Sequence, residues 1–319
     1  MKFGVLGFGY DHFENFAEQL KGEGGKGYYT VNLGDNTQSI ATRYVYRQAG
    51  ISDEDMILIN RDSLASYDGE KAVLIMNGVF WEWSFPIPMT ITPIFIGFHA
   101  NEGVIRNNKY FFKRHEPIGC RDSATTKLMQ SHGISAFTTG CLTLALPPRS
   151  TVPTAPKLLV VYGDGGGALP AQVLKYIPAH LADTAEFIFH RFPVSSHPLS
   201  LQQCMAVERY ERDILEQYRS RATIVLTPLH HACTPAMAMG IPVIVCRNDF
   251  DPRFSFLQDL LPIYTPDRFS QINWNQEPVN VDNIRAKLLH RVHDLLSYAS
   301  IIPRAQTSDS GGIPAFVGI

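Results

Sequence analysis

The chain has 319 residues, of which 45% are hydrophobic, and a formal net charge of −2. That length suits about two domains at ~100–200 residues each, with apolar material for two cores, and the near-zero charge argues against a nucleic-acid groove or an anionic membrane surface as partner. Five cysteines, an odd number without paired spacing, fit reduced thiols in a cytoplasmic protein rather than a disulfide framework. The opening Met1–Tyr10 is too short and glycine-broken for a signal peptide, and no run approaches the ~18–20 apolar residues of a membrane span.

Short apolar runs bounded by turn residues predict strands at Ala72–Met76, Ile91–Phe98, Phe137–Leu146, Lys157–Tyr162, Glu186–Phe189, Thr223–Leu226 and Val243–Val245. Apolar residues at helical spacing predict helices at Gln38–Ala49, Thr125–Ser131, Leu169–Ile177, Leu201–Gln217 and Cys233–Met239. The alternation reads as an α/β fold with parallel sheets, without internal repeats. Prolines in Leu146–Pro156 break both regular structures just before a fresh apolar strand, so the expected division is 1–150 and 151–305. The small and polar residues from Gln306 onward predict a flexible tail over 306–319.

Two constellations carry chemistry. Arg121-Asp122 follows a Pro-Ile-Gly-Cys turn and precedes a helical run that Asp122 or Ser123 can cap. Arg121 is therefore either a surface arginine beside a capping aspartate or, at a helix end rich in unpaired N–H groups, a ligand for carboxylate or phosphate. In Thr227-Pro-Leu-His230-His231, between a strand and a helix, a histidine is placed either to reach a cleft or to make a structural hydrogen bond; its ordinary pKa suits proton transfer near neutrality. Gly163-Asp-Gly-Gly-Gly follows a strand and is readable as a phosphate cradle or a tight turn. Histidines and cysteines are scattered without ligand spacing, and no metal is expected.

The segment Ile118-Gly-Cys-Arg-Asp122, its following helix and Cys141-Leu-Thr-Leu144 resemble blocks of the polysaccharide pyruvyl transferase family. Asn32-Leu-Gly-Asp35, Leu74-Ile-Met-Asn-Gly78, Ile94–His99 and Thr227–Val243 resemble further family blocks in the same order, which an isolated motif would not provide. The resemblance implies two Rossmann-like domains facing a central cleft, as in GT-B glycosyltransferases. It also implies transfer of the enolpyruvyl unit of phosphoenolpyruvate to two sugar hydroxyls, with no cofactor. Counting back nine positions from Gly240 makes His231 the implied general acid. The family arginine then falls on Leu229, a departure for which Arg191, Arg247, Arg253 or a protonated His230 are the candidate replacements.

On that basis Arg121 and His230 are expected to bind the donor, and Asp35 to accept a hydroxyl proton unless it caps its helix. Asn32, Asn77 and Trp81 are expected to meet the acceptor, Trp81 by stacking on a sugar ring or else as an interdomain contact. The acceptor would be a saccharide, free or lipid-linked, the latter placing the protein peripherally at the inner membrane face. A nucleotide-sugar glycosyltransferase of the same plan, or a non-catalytic saccharide-binding member, are the alternatives.

Overall fold

A computed structural model describes residues 1–21 and 27–301; the expected tail lies outside the described residues. The first sheet comprises β1 (Lys2–Gly7), β3 (Met56–Asn60), β4 (Ala72–Ile75) and β6 (Ile91–Ile94), parallel in the order β3-β1-β4-β6. A second parallel set, β5 (Gly78–Phe80), β7 (Phe98–Ala100), β8 (Ile118–Cys120) and β9 (Ala136–Thr138), runs β5-β7-β8-β9. Beyond residue 150, β10 (Leu158–Tyr162), β11 (Glu186–Phe189), β13 (Ile224–Thr227), β14 (Val243–Cys246) and β15 (Ile263–Tyr264) form a third parallel sheet, β11-β10-β13-β14-β15. All four residues of β4, β13 and β14 are buried, which explains why they read as continuous apolar runs rather than as alternating ones. The predicted mixed α/β class with parallel sheets is therefore observed.

The expected strand Ile91–Phe98 is two strands. It breaks because Gly97 sits at φ +72°, where a Cβ would lie 2.2 Å from Asn77 Oδ1. Asn77 marks the matching break between β4 and β5, and the hydrogen bonds Met76 N–H to Ile94 O and Gly78 N–H to Gly97 O, at 2.7 and 3.1 Å, carry the pairing across both interruptions. Phe137–Leu146 is likewise not one strand. After β9 the chain turns at Gly140 (φ +76°), and Leu142–Ala145 coil into a 3-10 turn buried under three helices. Burial on all sides, not sheet membership, makes this segment apolar. Leu169–Ile177 contains a 3-10 helix at Ala171–Tyr176, set between Pro170 and Pro178, rather than an α-helix.

Nine α-helices lie among the described residues: α1 (Glu14–Leu20), α2 (Leu33–Gln48), α3 (Glu102–Asn107), α4 (Lys109–Lys113), α5 (Ser123–Ser131), α6 (Ala179–Ala182), α7 (Leu201–Arg221), α8 (His230–Ala238) and α9 (Asp282–Ile301). Helix α2 starts earlier than expected because Asn32 is its N-cap, with the side-chain oxygen accepting from Gly34 N–H. Asp35 therefore lies in the first turn and does not cap. The start escaped periodicity because α2 buries polar residues, among them Thr37, whose hydroxyl donates to Glu211 of α7. Strands β1 and β3 and helix α9 were not predicted, although Leu288, Val292 and Leu296 place buried residues at four-residue spacing along α9.

Several contacts tie the chain before residue 150 to the chain after it. Strand β2 (Tyr29–Asn32) pairs antiparallel with β12 (Arg191–Val194). Thr143 in the buried turn donates to Thr234 in α8 at 2.7 Å, and Ala124 N–H donates to Ser255 Oγ at 3.1 Å. Arg285 of α9 donates to the carbonyls of Leu146 and Ala238. These bonds bring the start of α2, the start of α5 and the start of α8 to one place.

Candidate active site

Each predicted catalytic or donor residue stands just beyond a strand's carboxyl end, Arg121 and the two histidines at parallel sheets, where such sheets present ligand sites, and Asp35 at the antiparallel β2–β12 pair. Arg121 follows β8, His230 and His231 follow β13 as the first two residues of α8, and Asp35 follows β2. Gly34 is obligatory for this meeting. A Cβ there would fall 2.9 Å from His231 Cβ, so a side chain would push α2 away from α8.

Arg121 is 2% exposed, and two of its guanidinium nitrogens, Nε and one Nη, have no hydrogen-bond partner. Its nearest carboxylate, Asp122 Oδ2, is 3.8 Å from Nε. Asp122 is occupied elsewhere: it caps α5 through Thr125 N–H at 2.8 Å and meets His99 Nδ1 at 2.8 Å. Burial pushes the Arg121 pKa down, with Asp122 acting in the opposite direction. Burial pushes Asp122 up, but His99, Arg121 and the Thr125 N–H together hold it below the ordinary carboxylate value. An unsatisfied buried guanidinium is costly in a folded protein and is the arrangement expected where an anion is to be received.

His231 Nε2 lies 3.6 Å from Cys141 Sγ, and the His230 and His231 rings meet edge-on at 4.9 Å. His230 also packs edge-on against Phe254, and its Nδ1 is buried without a partner. Burial lowers both histidine pKa values well below 6.5; the His230–His231 pairing and Arg121 add to the shift of His230, and Arg121 and His190 to that of His231. His99 is also lowered by burial, against the pull of Asp122. The sign for stability follows: the unfolded chain takes up protons near 6.5 that the folded chain refuses, so stability is lost as pH falls below about 6.5. Thermal melting from pH 7.5 to 5.5 should show a decreasing midpoint, and substituting His230 with Phe should flatten that slope; an unchanged slope would contradict neutral burial of this imidazole.

Of the three arginines considered as replacements at Leu229, two are engaged elsewhere. Arg191 binds Thr30 O at 2.6 Å and Asp164 at 3.3 Å, and Arg247 binds the carbonyls of Pro228 and Gly166 and lies 4.7 Å over the Phe254 ring. Arg253 is anchored by Asp251 but half exposed, and it acts electrostatically on Arg121, His99, His230 and His231. Leu229 itself packs into the glycine-rich loop: a Cβ on Gly167 would lie 2.6 Å from Leu229 Cδ2. The loop's Gly163 and Gly167 N–H groups are bonded internally, to Gly167 O and Asp164 O, so the loop is a tight turn around Leu229.

Asp35 receives the Tyr10 hydroxyl at 3.0 Å and the Gln38 amide at 3.5 Å. Burial raises its pKa, while Arg61 and the Tyr10 hydrogen bond pull it back. Tyr10 has φ +59°, a position that non-glycine residues rarely take, held by its N–H on Asp62 and its carbonyl on His197. Its ring continues an aromatic wall through Phe13 and Trp83 to Trp81, which stacks on Trp83 at 5.7 Å. Asn32 is committed to capping. Asn77 is buried, with its Oδ1 accepting from Leu142 N–H at 3.4 Å and its Nδ2 without a partner.

Tyr10, His99 and Cys141 were given no role from sequence. Tyr10 had a signal in Gly7-Phe-Gly9-Tyr10, glycines closing a strand, and His99 in its place beside Gly97; Cys141 had none of its own, because its meaning depends on residues far away in the chain. An open depression of about 770 Å³ lined by Phe250, Gln258, Leu260 and Arg268 shares no residue with this cluster. Among the described residues no helix is long and apolar enough to cross a membrane.

Parallel sheets with a buried cluster of arginine and imidazole side chains beyond their carboxyl ends define an α/β protein. The chain belongs to the polysaccharide pyruvyl transferase family, whose model matches residues 32–250. None of the curated proteins matches it. Among solved structures it is similar to a functionally uncharacterised protein from Klebsiella pneumoniae subsp. pneumoniae, with 14% identity and a TM-score of 0.41 over 72% of this chain and 85% of that one.

Proposed function

We propose that the protein transfers the enolpyruvyl unit of phosphoenolpyruvate to two hydroxyls of one sugar residue of a saccharide, giving a cyclic pyruvate ketal and inorganic phosphate. The observation that carries this reading is Arg121, a buried guanidinium with two unpartnered nitrogens facing the same cluster as His231. In this reading the two sheets flanking residue 150 belong to two Rossmann-like domains in a GT-B-like arrangement, with the donor between them.

Arg121 and Arg253 hold the donor's carboxylate and phosphate, with Arg253 supplying the cation that Leu229 lacks. Helix α8 has no side-chain cap, so its first N–H groups and the partnerless His230 Nδ1 are available to the same anion. His231 delivers a proton to the methylene carbon, and the central carbon becomes the methyl-bearing cation that a sugar hydroxyl attacks. Asp35, made more basic by burial, takes that hydroxyl's proton. The second hydroxyl displaces phosphate and its proton departs with the phosphate, so two C–O bonds to sugar form, the C–O bond to phosphate breaks, and no cofactor is consumed. Trp81 offers a ring face to the sugar, Asn32 fixes the loop carrying Asp35, and Asn77 presents its free amide nitrogen.

Calorimetric titration discriminates the donor. Phosphoenolpyruvate is expected to bind and a nucleoside diphosphate sugar to bind far more weakly; the reverse order would favour a glycosyltransferase. Arg253→Ala should raise the donor KM about tenfold with little change in kcat, since a half-exposed cation contributes about 1–1.5 kcal/mol to a charged ligand. An unchanged KM would remove Arg253 from the site.

A further inference from the structure

We infer that Cys141, His230 and His231 form a site for a thiophilic divalent cation of the zinc type, overlapping the proton donor. One ligand atom from each residue lies within 4.8 Å of the other two. Tetrahedral zinc with a sulfur at ~2.3 Å and an imidazole nitrogen at ~2.0–2.1 Å places those two donors about 3.5 Å apart, and the Cys141 Sγ to His231 Nε2 distance is 3.6 Å. His230 provides the third donor from the next residue, and its Nδ1 is buried without a hydrogen-bond partner.

The scaffold holds the three in place. Cys141 leads the buried Leu142–Ala145 turn, which Thr143 fastens to α8 through Thr234, so thiol and imidazoles belong to two elements bonded to each other. Burial raises the Cys141 pKa and Arg121 acts in the opposite direction, so the thiolate that a metal binds forms as the metal displaces the proton. Three protein ligands leave one position of a tetrahedron open, facing a cluster that also contains Arg121 and Arg253. Cys141 stands 90 positions before His231, so no ligand spacing in the sequence announces the set. The cation is held by His231 Nε2 and so engages the imidazole assigned to proton delivery. Where the pyruvyl transfer reading holds, zinc is accordingly an inhibitor that a chelator reverses.

The test uses the reduced full-length protein and Co²⁺ as a spectroscopic stand-in, followed by competition with Zn²⁺. One equivalent of Co²⁺ should produce a thiolate-to-metal charge-transfer band that Zn²⁺ abolishes. Cys141→Ser should eliminate the band, and His230→Ala should weaken cobalt affinity at least tenfold, with folding of both variants checked by their thermal melts. Absence of the band in the wild-type protein, or its persistence in Cys141→Ser, overturns the site. This readout does not depend on turnover, so it stands or falls separately from pyruvyl transfer; zinc inhibition that survives Cys141→Ser would likewise refute the overlap.

Discussion

His231→Ala is expected to lower kcat by about 10²–10⁴-fold while phosphoenolpyruvate still binds, because a positioned general acid contributes on that scale and the anion contacts remain. The protonation state makes the prediction sharper. With burial and Arg121 holding the His231 pKa well below 6.5, the unliganded protein carries it neutral at pH 7. A bound dianion compensates Arg121 and draws the imidazole pKa upward. Activity should therefore decrease as pH rises, and the limb for kcat/KM, which reports the free protein, should lie at lower pH than the limb for kcat. Both limbs should vanish in His231→Ala. A variant with unaltered kcat would exclude His231 as the acid and favour a saccharide-binding protein without this chemistry.

Arg121→Met should abolish donor binding and at the same time stabilise the fold. The guanidinium is buried with two nitrogens unpartnered and only a distant carboxylate contact, so a linear apolar side chain removes a desolvated charge at little loss of packing. Replacing buried ionic groups by apolar ones of similar size is often neutral or stabilising by about 1–4 kcal/mol. In the wild-type protein phosphoenolpyruvate at 100 times its Kd should stabilise by about 2.7 kcal/mol, and this increment should disappear in the variant. Thermal melts with and without donor read both effects. Severe destabilisation with donor binding retained would mean that Arg121 is a structural cation, and its empty nitrogens no ligand site.

Tyr10→Phe gives an independent check on the acceptor side. The hydroxyl's hydrogen bond lowers the Asp35 pKa, so its loss should move the acidic limb of the rate profile to higher pH. No movement would separate Asp35 from proton acceptance.

Fully buried strands were legible in sequence because continuous apolar runs such as Ala72–Met76 and Val243–Val245 coincide with sheet positions. The family blocks also lie in the matched region, and they located Arg121, His231 and Asp35 beyond strand ends. What stayed hidden was hidden for physical reasons. Asn32 and Asp35 are both good N-caps, and only the Gly34 N–H bond shows which one acts. Leu142–Ala145 is apolar because helices surround it, and burial alone does not distinguish a turn from a strand. Arg191, Arg247 and Arg253 are chemically equivalent in sequence; carbonyls at Thr30, Pro228 and Gly166 claim the first two. The Cys141–His231 approach depends on the turn docking against α8, information that no local pattern contains.

The most direct measurement incubates the purified protein with phosphoenolpyruvate and a panel of glycan acceptors, following phosphate release alongside the mass of the sugar. Acceptor-dependent phosphate, matched by a pyruvate-sized mass gain that is lost in His231→Ala, is the predicted result. Phosphoenolpyruvate that neither binds in direct titration nor yields phosphate with any acceptor would contradict the account at its centre.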